Sequence, residues 1–120
     1  MGKIIRCDIT QPYISEKLWQ YDYGKSLLIE GLTGIEGQIY IHFAVHDSED
    51  AVTEVPGTVT EEGILARIPD ELLVNNDIAR DYKLHALIYV KGAHSGKTFA
   101  ELILPVSSRA RPDNYPASGT

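Results

Sequence analysis

The sequence predicts an all-β fold: a single antiparallel β-sandwich, immunoglobulin-like or jelly-roll, of about seven or eight strands. Three observations lead there. Apolar and polar residues alternate along three long segments, glycines and prolines punctuate the chain at short intervals, and helical signals are confined to one stretch near 69–76. Short strands separated by frequent turns describe a two-layer β architecture rather than a bundle or an α/β sheet.

The clearest strand covers 38–46, where Ile39, Ile41, Phe43 and Val45 face one way and Tyr40, His42, Ala44 and His46 the other. Residues 84–91 set Leu84, Ala86, Ile88 and Val90 opposite His85, Leu87, Tyr89 and Lys91. Residues 98–106 set Ala100, Leu102, Leu104 and Val106 opposite Phe99, Glu101 and Ile103. Shorter strands are expected at 3–9, 26–30, 58–60 and 64–68, all rich in β-branched or aromatic residues. Turns are expected at Gly24, Gly31, Gly34, Gly37, Pro56-Gly57, Gly63, Gly92 and Gly96, with Gly92–Gly96 closing a hairpin. Pro69-Asp70-Glu71 reads as a first helical turn and Asn75-Asn76 as its end, a helix of two turns crossing between the sheets.

The chain has 120 residues, enough for one domain with one core, placed at 1–108. Residues 109–120 carry two prolines and small polar residues without periodicity, and are read as an extended linker or tail. The net charge of -6, with no Lys/Arg cluster, argues against nucleic acid and against an anionic membrane surface. No apolar run approaches the ~20 residues that span a bilayer, and the N-terminus has no signal-peptide pattern. One cysteine, Cys7, leaves no internal disulfide and no multi-cysteine zinc site. Synthesis in a reducing cytoplasm follows.

Catalytic arrangements are thin. His42 and His46 share a strand face but lie roughly 13 Å apart at ~3.3 Å per residue, too far to chelate one ion. A metal would need His42 or His46 joined by His85 and a carboxylate, and solvent-facing strand positions are the favoured reading. Asp47–Asp50 lacks the ligand alternation and glycine of a calcium loop, and Glu61-Glu62 reads as an exposed turn. Cys7 has the surroundings of a buried structural thiol, and Ser95 beside His94 is a sequence neighbour rather than a catalytic pair. No nucleophile elbow is present, and His94–Thr98 lacks the upstream glycine of a phosphate loop. A non-enzymatic protein with no cofactor and no metal is expected.

Binding or assembly remains. Seven tyrosines and one tryptophan supply rigid amphipathic contact area. Trp19, Tyr21 and Tyr23 fall on alternate positions, a ladder that either stacks sugar rings or seals the sandwich edge around a bend at Asp22 and Gly24. The candidate contact residues are Trp19, Tyr21, Tyr23, Arg109, Arg111 and Tyr115.

Several stretches resemble a known family. They are Tyr21-Asp22-Tyr23-Gly24 leading into Lys25–Gly31, Ile68-Pro69-Asp70-Glu71-Leu72-Leu73, the strand ending Ile88-Tyr89-Val90, and Leu104–Tyr115. Together they resemble a small β-sandwich domain of tailed-bacteriophage and prophage structural proteins, of baseplate, tail-fibre or head-fibre type. There a Trp-Asp-x-Gly step, an Ile-Pro-x-x-Leu-Leu segment and an Arg-Pro-x-x-Tyr exit recur. Tyr21 stands where that step has Trp. The resemblance implies a virion protein that anchors, projects or decorates, and associates with itself and with other virion proteins. The alternative is a carbohydrate-binding module with its aromatic platform at Trp19, Tyr21 and Tyr23, taking a host surface glycan.

Overall fold

The computed structural model describes residues 4–10, 13–14, 17–32, 35, 37–45, 53–74 and 80–112. Their strands run β1 (Ile4–Asp8), β2 (Tyr13–Ile14), β3 (Leu18–Trp19), β4 (Ser26–Glu30) and β5 (Gln38–Val45). They continue with β6 (Thr53–Pro56), β7 (Thr58–Val59), β8 (Ile64–Arg67), β9 (Tyr82–Lys91) and β10 (Gly96–Ser107). The strands form two five-stranded sheets with orders β2-β1-β4-β8-β7 and β3-β10-β9-β5-β6, here the first and second sheet.

The long alternating segments become the centre of the second sheet. β5 pairs antiparallel with β9 from Gln38↔Lys91 to Val45↔Leu84, and β9 pairs with β10 through a hairpin. This register places Ile39, Ile41 and Phe43 beside Val90, Ile88 and Ala86 on one face. Across from them the first sheet contributes Ile5 and Cys7 from β1, Leu27 and Ile29 from β4, and Ile64 and Ala66 from β8. Both inner faces are apolar, so each sheet supplies the other with the cover it needs. Phe43, Ile41, Leu84, Ile88, Leu104 and Val106 are all but inaccessible to solvent.

Three expectations are corrected. The sheets are mixed rather than antiparallel, because β1 runs parallel to β4 and β3 runs parallel to β10. Both parallel pairs come from the N-terminal segment, which adds β1 to the first sheet and then reaches β10 in the second. The helix expected at 69–76 is a single 3-10 turn, Asp70–Leu73, while 75–76 lie outside the described residues. Its backbone closes through Leu72 N–H to Pro69 O at 3.1 Å and Val74 N–H to Glu71 O at 3.4 Å. Burial of Leu73 and Ile68 in the core sets this conformation over the propensity of the stretch. As expected, it lies on the crossover between the sheets. Third, β2, β3 and β6 join the expected strands, giving ten among the described residues.

Candidate functional site

The Trp19–Tyr23 segment does not stay extended. β3 ends at Trp19, and the Asp22 N–H donates to the Trp19 carbonyl at 3.2 Å, closing a turn. Tyr21 occupies its third position at φ +71°, the left-handed region that glycine normally fills. Two clamps hold it there: Tyr21 N–H donates to Leu73 O at 2.8 Å, and Trp19 N–H donates to Asp22 Oδ2 at 3.1 Å. Gly24 N–H is bound by Asp70 Oδ1 at 3.0 Å, which fixes the far end of the turn to the 3-10 segment. The three aromatics therefore form no ladder. Trp19 and Tyr23 are exposed and Tyr21 is half-buried, and the bend expected at Asp22 and Gly24 starts earlier, in the Trp19–Asp22 turn, with Gly24 also at positive φ.

Trp19 instead belongs to the outer face of the second sheet. The parallel register sets Leu18 beside Val106 and Trp19 beside Ser107, and Gln20 N–H continues the ladder to Ser107 O at 2.8 Å. Carrying that register back one residue sets Lys17 beside Pro105, whose partner on the other side is Lys83. One row across the outer face thus reads Lys17, Pro105, Lys83. The next reads Trp19, Ser107. A cavity of about 260 Å³ opens here, with Tyr82 and Val106 at its base. The Lys17 ammonium stands 4.7 Å from the Trp19 ring centroid, within cation–π range. Asp81, the carboxylate of the cavity, accepts the Ser108 N–H at 2.9 Å and its hydroxyl at 3.3 Å.

Further along the same face the polar groups pair with each other. His42 Nε2 is 2.7 Å from Glu54 Oε2, and its ring stacks on Tyr89 at 4.8 Å between centroids. The His42 bond holds the Glu54 carboxyl below its usual value, with Lys91, 3.5 Å away, adding to the effect. His85 Nδ1 is 3.0 Å from Glu101 Oε2. The face does bring His42 and His85 onto adjacent strands, yet each imidazole meets a carboxylate of its own. No group of three metal-ligating side chains occurs among the described residues. Phe99, the extra residue of a bulge in β10, and Ile103 leave apolar surface open on either side of Glu101 along that strand.

The other candidates are dispersed. Cys7 is buried with its thiol directed at Leu28 O, 3.7 Å away; burial foremost, then Glu30 and Asp8, pushes it up to about 12. Arg109 and Arg111 are exposed beyond the end of β10, and Arg109 Nε donates to Ala110 O at 3.0 Å. Tyr115, His46, the acidic stretch 47–50 and most of the tail lie outside the described residues. Glu61 and Glu62 form the expected exposed turn, Glu62 bonding Arg6 at 2.9 Å. Lys17, Lys83 and Pro105 were not singled out by sequence reasoning. The one local signal was the Lys17/Trp19 alternation; the rest depends on a parallel pairing that joins the two ends of the chain.

No protein-family model and no curated protein sequence matches this chain. Among solved structures, its fold is similar to that of the N-terminal domain of phage TP901-1 ORF48. The TM-score is 0.51 at 12% identity, over 89% of this chain and 97% of that one. At that identity the likeness is one of fold.

Proposed function

We propose that this domain is a non-enzymatic structural module of a phage virion, joining a fibre, baseplate component or decoration to the particle. The observation that carries this reading is the shared fold, nearly end to end, with the N-terminal domain of a phage protein. The paired face of the second sheet supports it, since its histidines and glutamates satisfy one another instead of converging on a cleft. The two packed sheets also suit the β-sandwich module that the sequence motifs resemble. Particles banded on a density gradient, from cells in which the phage or prophage is induced, should contain this chain at a fixed ratio to the other structural proteins. Recovery only in the soluble fraction overturns the reading.

The module works in copies set around a particle axis. Light scattering on the chain with and without residues 109–120 tests self-association directly. A species heavier than 13.3 kDa is expected, and strictly monomeric behaviour in both forms removes self-association from the proposal.

A further inference from the structure

The Trp19 corner of the second sheet turns a cationic, apolar surface of this acidic chain outward. Lys17 and Lys83 flank Pro105 in one row, with strand spacings that put their Cα atoms roughly 10 Å apart. Two lysine side chains at that separation are long enough to converge on one group between them. Neither forms an ion pair among the described residues, whereas Arg6, Arg67 and Lys91 all do. Asp81 is the competing negative charge, and its Oδ1 already takes two hydrogen bonds from Ser108.

The apolar part of the surface is as well defined. Trp19 on β3 is 41% exposed, and Pro105 and the 44% exposed Ile103 lie on the outer face of the neighbouring β10. The Trp19 backbone is held by the ladder bond of Gln20, the Asp22 bond to its N–H, and the left-handed Tyr21 two residues on. An exposed Trp beside two lysines that form no ion pair among the described residues, and a shallow apolar cavity, has the composition of an interface anchor region.

We propose that this corner docks an acidic segment of a partner polypeptide. One carboxylate side chain enters the cavity between Lys17 and Lys83, and a neighbouring apolar residue lies on Trp19. Charge complementarity selects the occupant: the chain carries -6 overall, so a second copy offers mostly like-signed surface to the rest of the molecule, while an acidic segment meets two lysines side by side at this corner. The proposal rests on the domain meeting other proteins in a particle, and names the chemistry of the segment it meets.

Trp19 is the chain's single tryptophan, so its emission reports this corner alone. The Lys17 ammonium sits on its ring, and a carboxylate that draws Lys17 away changes that emission. The full chain is titrated with a blocked peptide of alternating Glu and Leu, with the same peptide carrying Gln for Glu, and with free glutamate. A saturable change with the first peptide alone is expected. Lys83→Ala, which leaves the indole untouched, should weaken it about tenfold, the size of one lost charge-assisted bond. No saturable change, an equal response to the Gln peptide or to free glutamate, or unaltered affinity in Lys83→Ala each overturns the proposal. Any of those results leaves incorporation into particles standing or falling on its own experiment.

Discussion

Tyr21 pays for its position in backbone strain, because an L-residue in the left-handed region brings Cβ against its own carbonyl at a cost of roughly 1–2 kcal/mol. The clamps from Leu73 and Asp22 hold it there. Replacing Tyr21 by Gly should therefore give a protein about 1 kcal/mol more stable than Tyr21→Ala, the reverse of the usual order, in urea denaturation. Equal midpoints would show that the turn relaxes instead. Cys7 and Tyr82 set a second expectation. Burial raises both groups to about 12, from 9.0 and 10.0, and the Tyr82 hydroxyl donates to Leu72 O at 2.6 Å. In the unfolded chain they ionise at the lower values. Their contribution to stability is therefore full below about pH 9 and lost as pH rises through about 12. Melting temperature should fall across that window, and the native thiol should resist a thiol reagent at pH 8 until denaturant is added. Prompt reaction of the native protein would contradict the burial of Cys7.

Among elements, the turn between β7 and β8 is the most constrained. Gly63 has φ +156°, and a Cβ there would meet the Ile29 carbonyl oxygen and the Glu30 Cα across the β4–β8 edge. Gly63→Ala should cost more than about 1 kcal/mol, whereas Gly92→Ala, whose added Cβ has Ser95 O as its nearest neighbour at 3.5 Å, should stay within about 0.5 kcal/mol. Thermal melts of the two variants side by side separate a close backbone approach from a tolerant hairpin loop. The same contrast explains which elements were legible beforehand. β5 and β9 show in the sequence because eight to ten residues of alternation bury one face apiece, and β10 because its C-terminal half does the same. β2 and β3 are two residues long, and their pairing is decided by where the chain lands rather than by any local pattern. Parallel pairing of β1 with β4 likewise has no local code: both are apolar runs that would serve either direction.

At the scale of the molecule, one core between two sheets and an excess of negative charge set the bulk behaviour. With a sequence pI near 5.1, solubility should pass through a minimum close to that pH, measured as turbidity at constant protein concentration. A flat profile would point to solubility controlled by a buried association surface instead. Of the Trp19 corner, the sequence singled out Trp19 alone. What brought Lys83 and Pro105 to it is a contact between the two ends of the chain, invisible to any window of neighbouring residues.

That contact has a mechanical meaning. At its exit end β10 lies between β3 on one side and β9 on the other, with Val106 paired to both Leu18 and Tyr82. A pull on the chain beyond Ser107 acts along the strand, against hydrogen bonds that cross to a neighbour on each side, perpendicular to it toward β9 and slanted toward β3. The bonds would have to shear together rather than open one after another, so β10 is well placed to bear a load applied beyond Ser107.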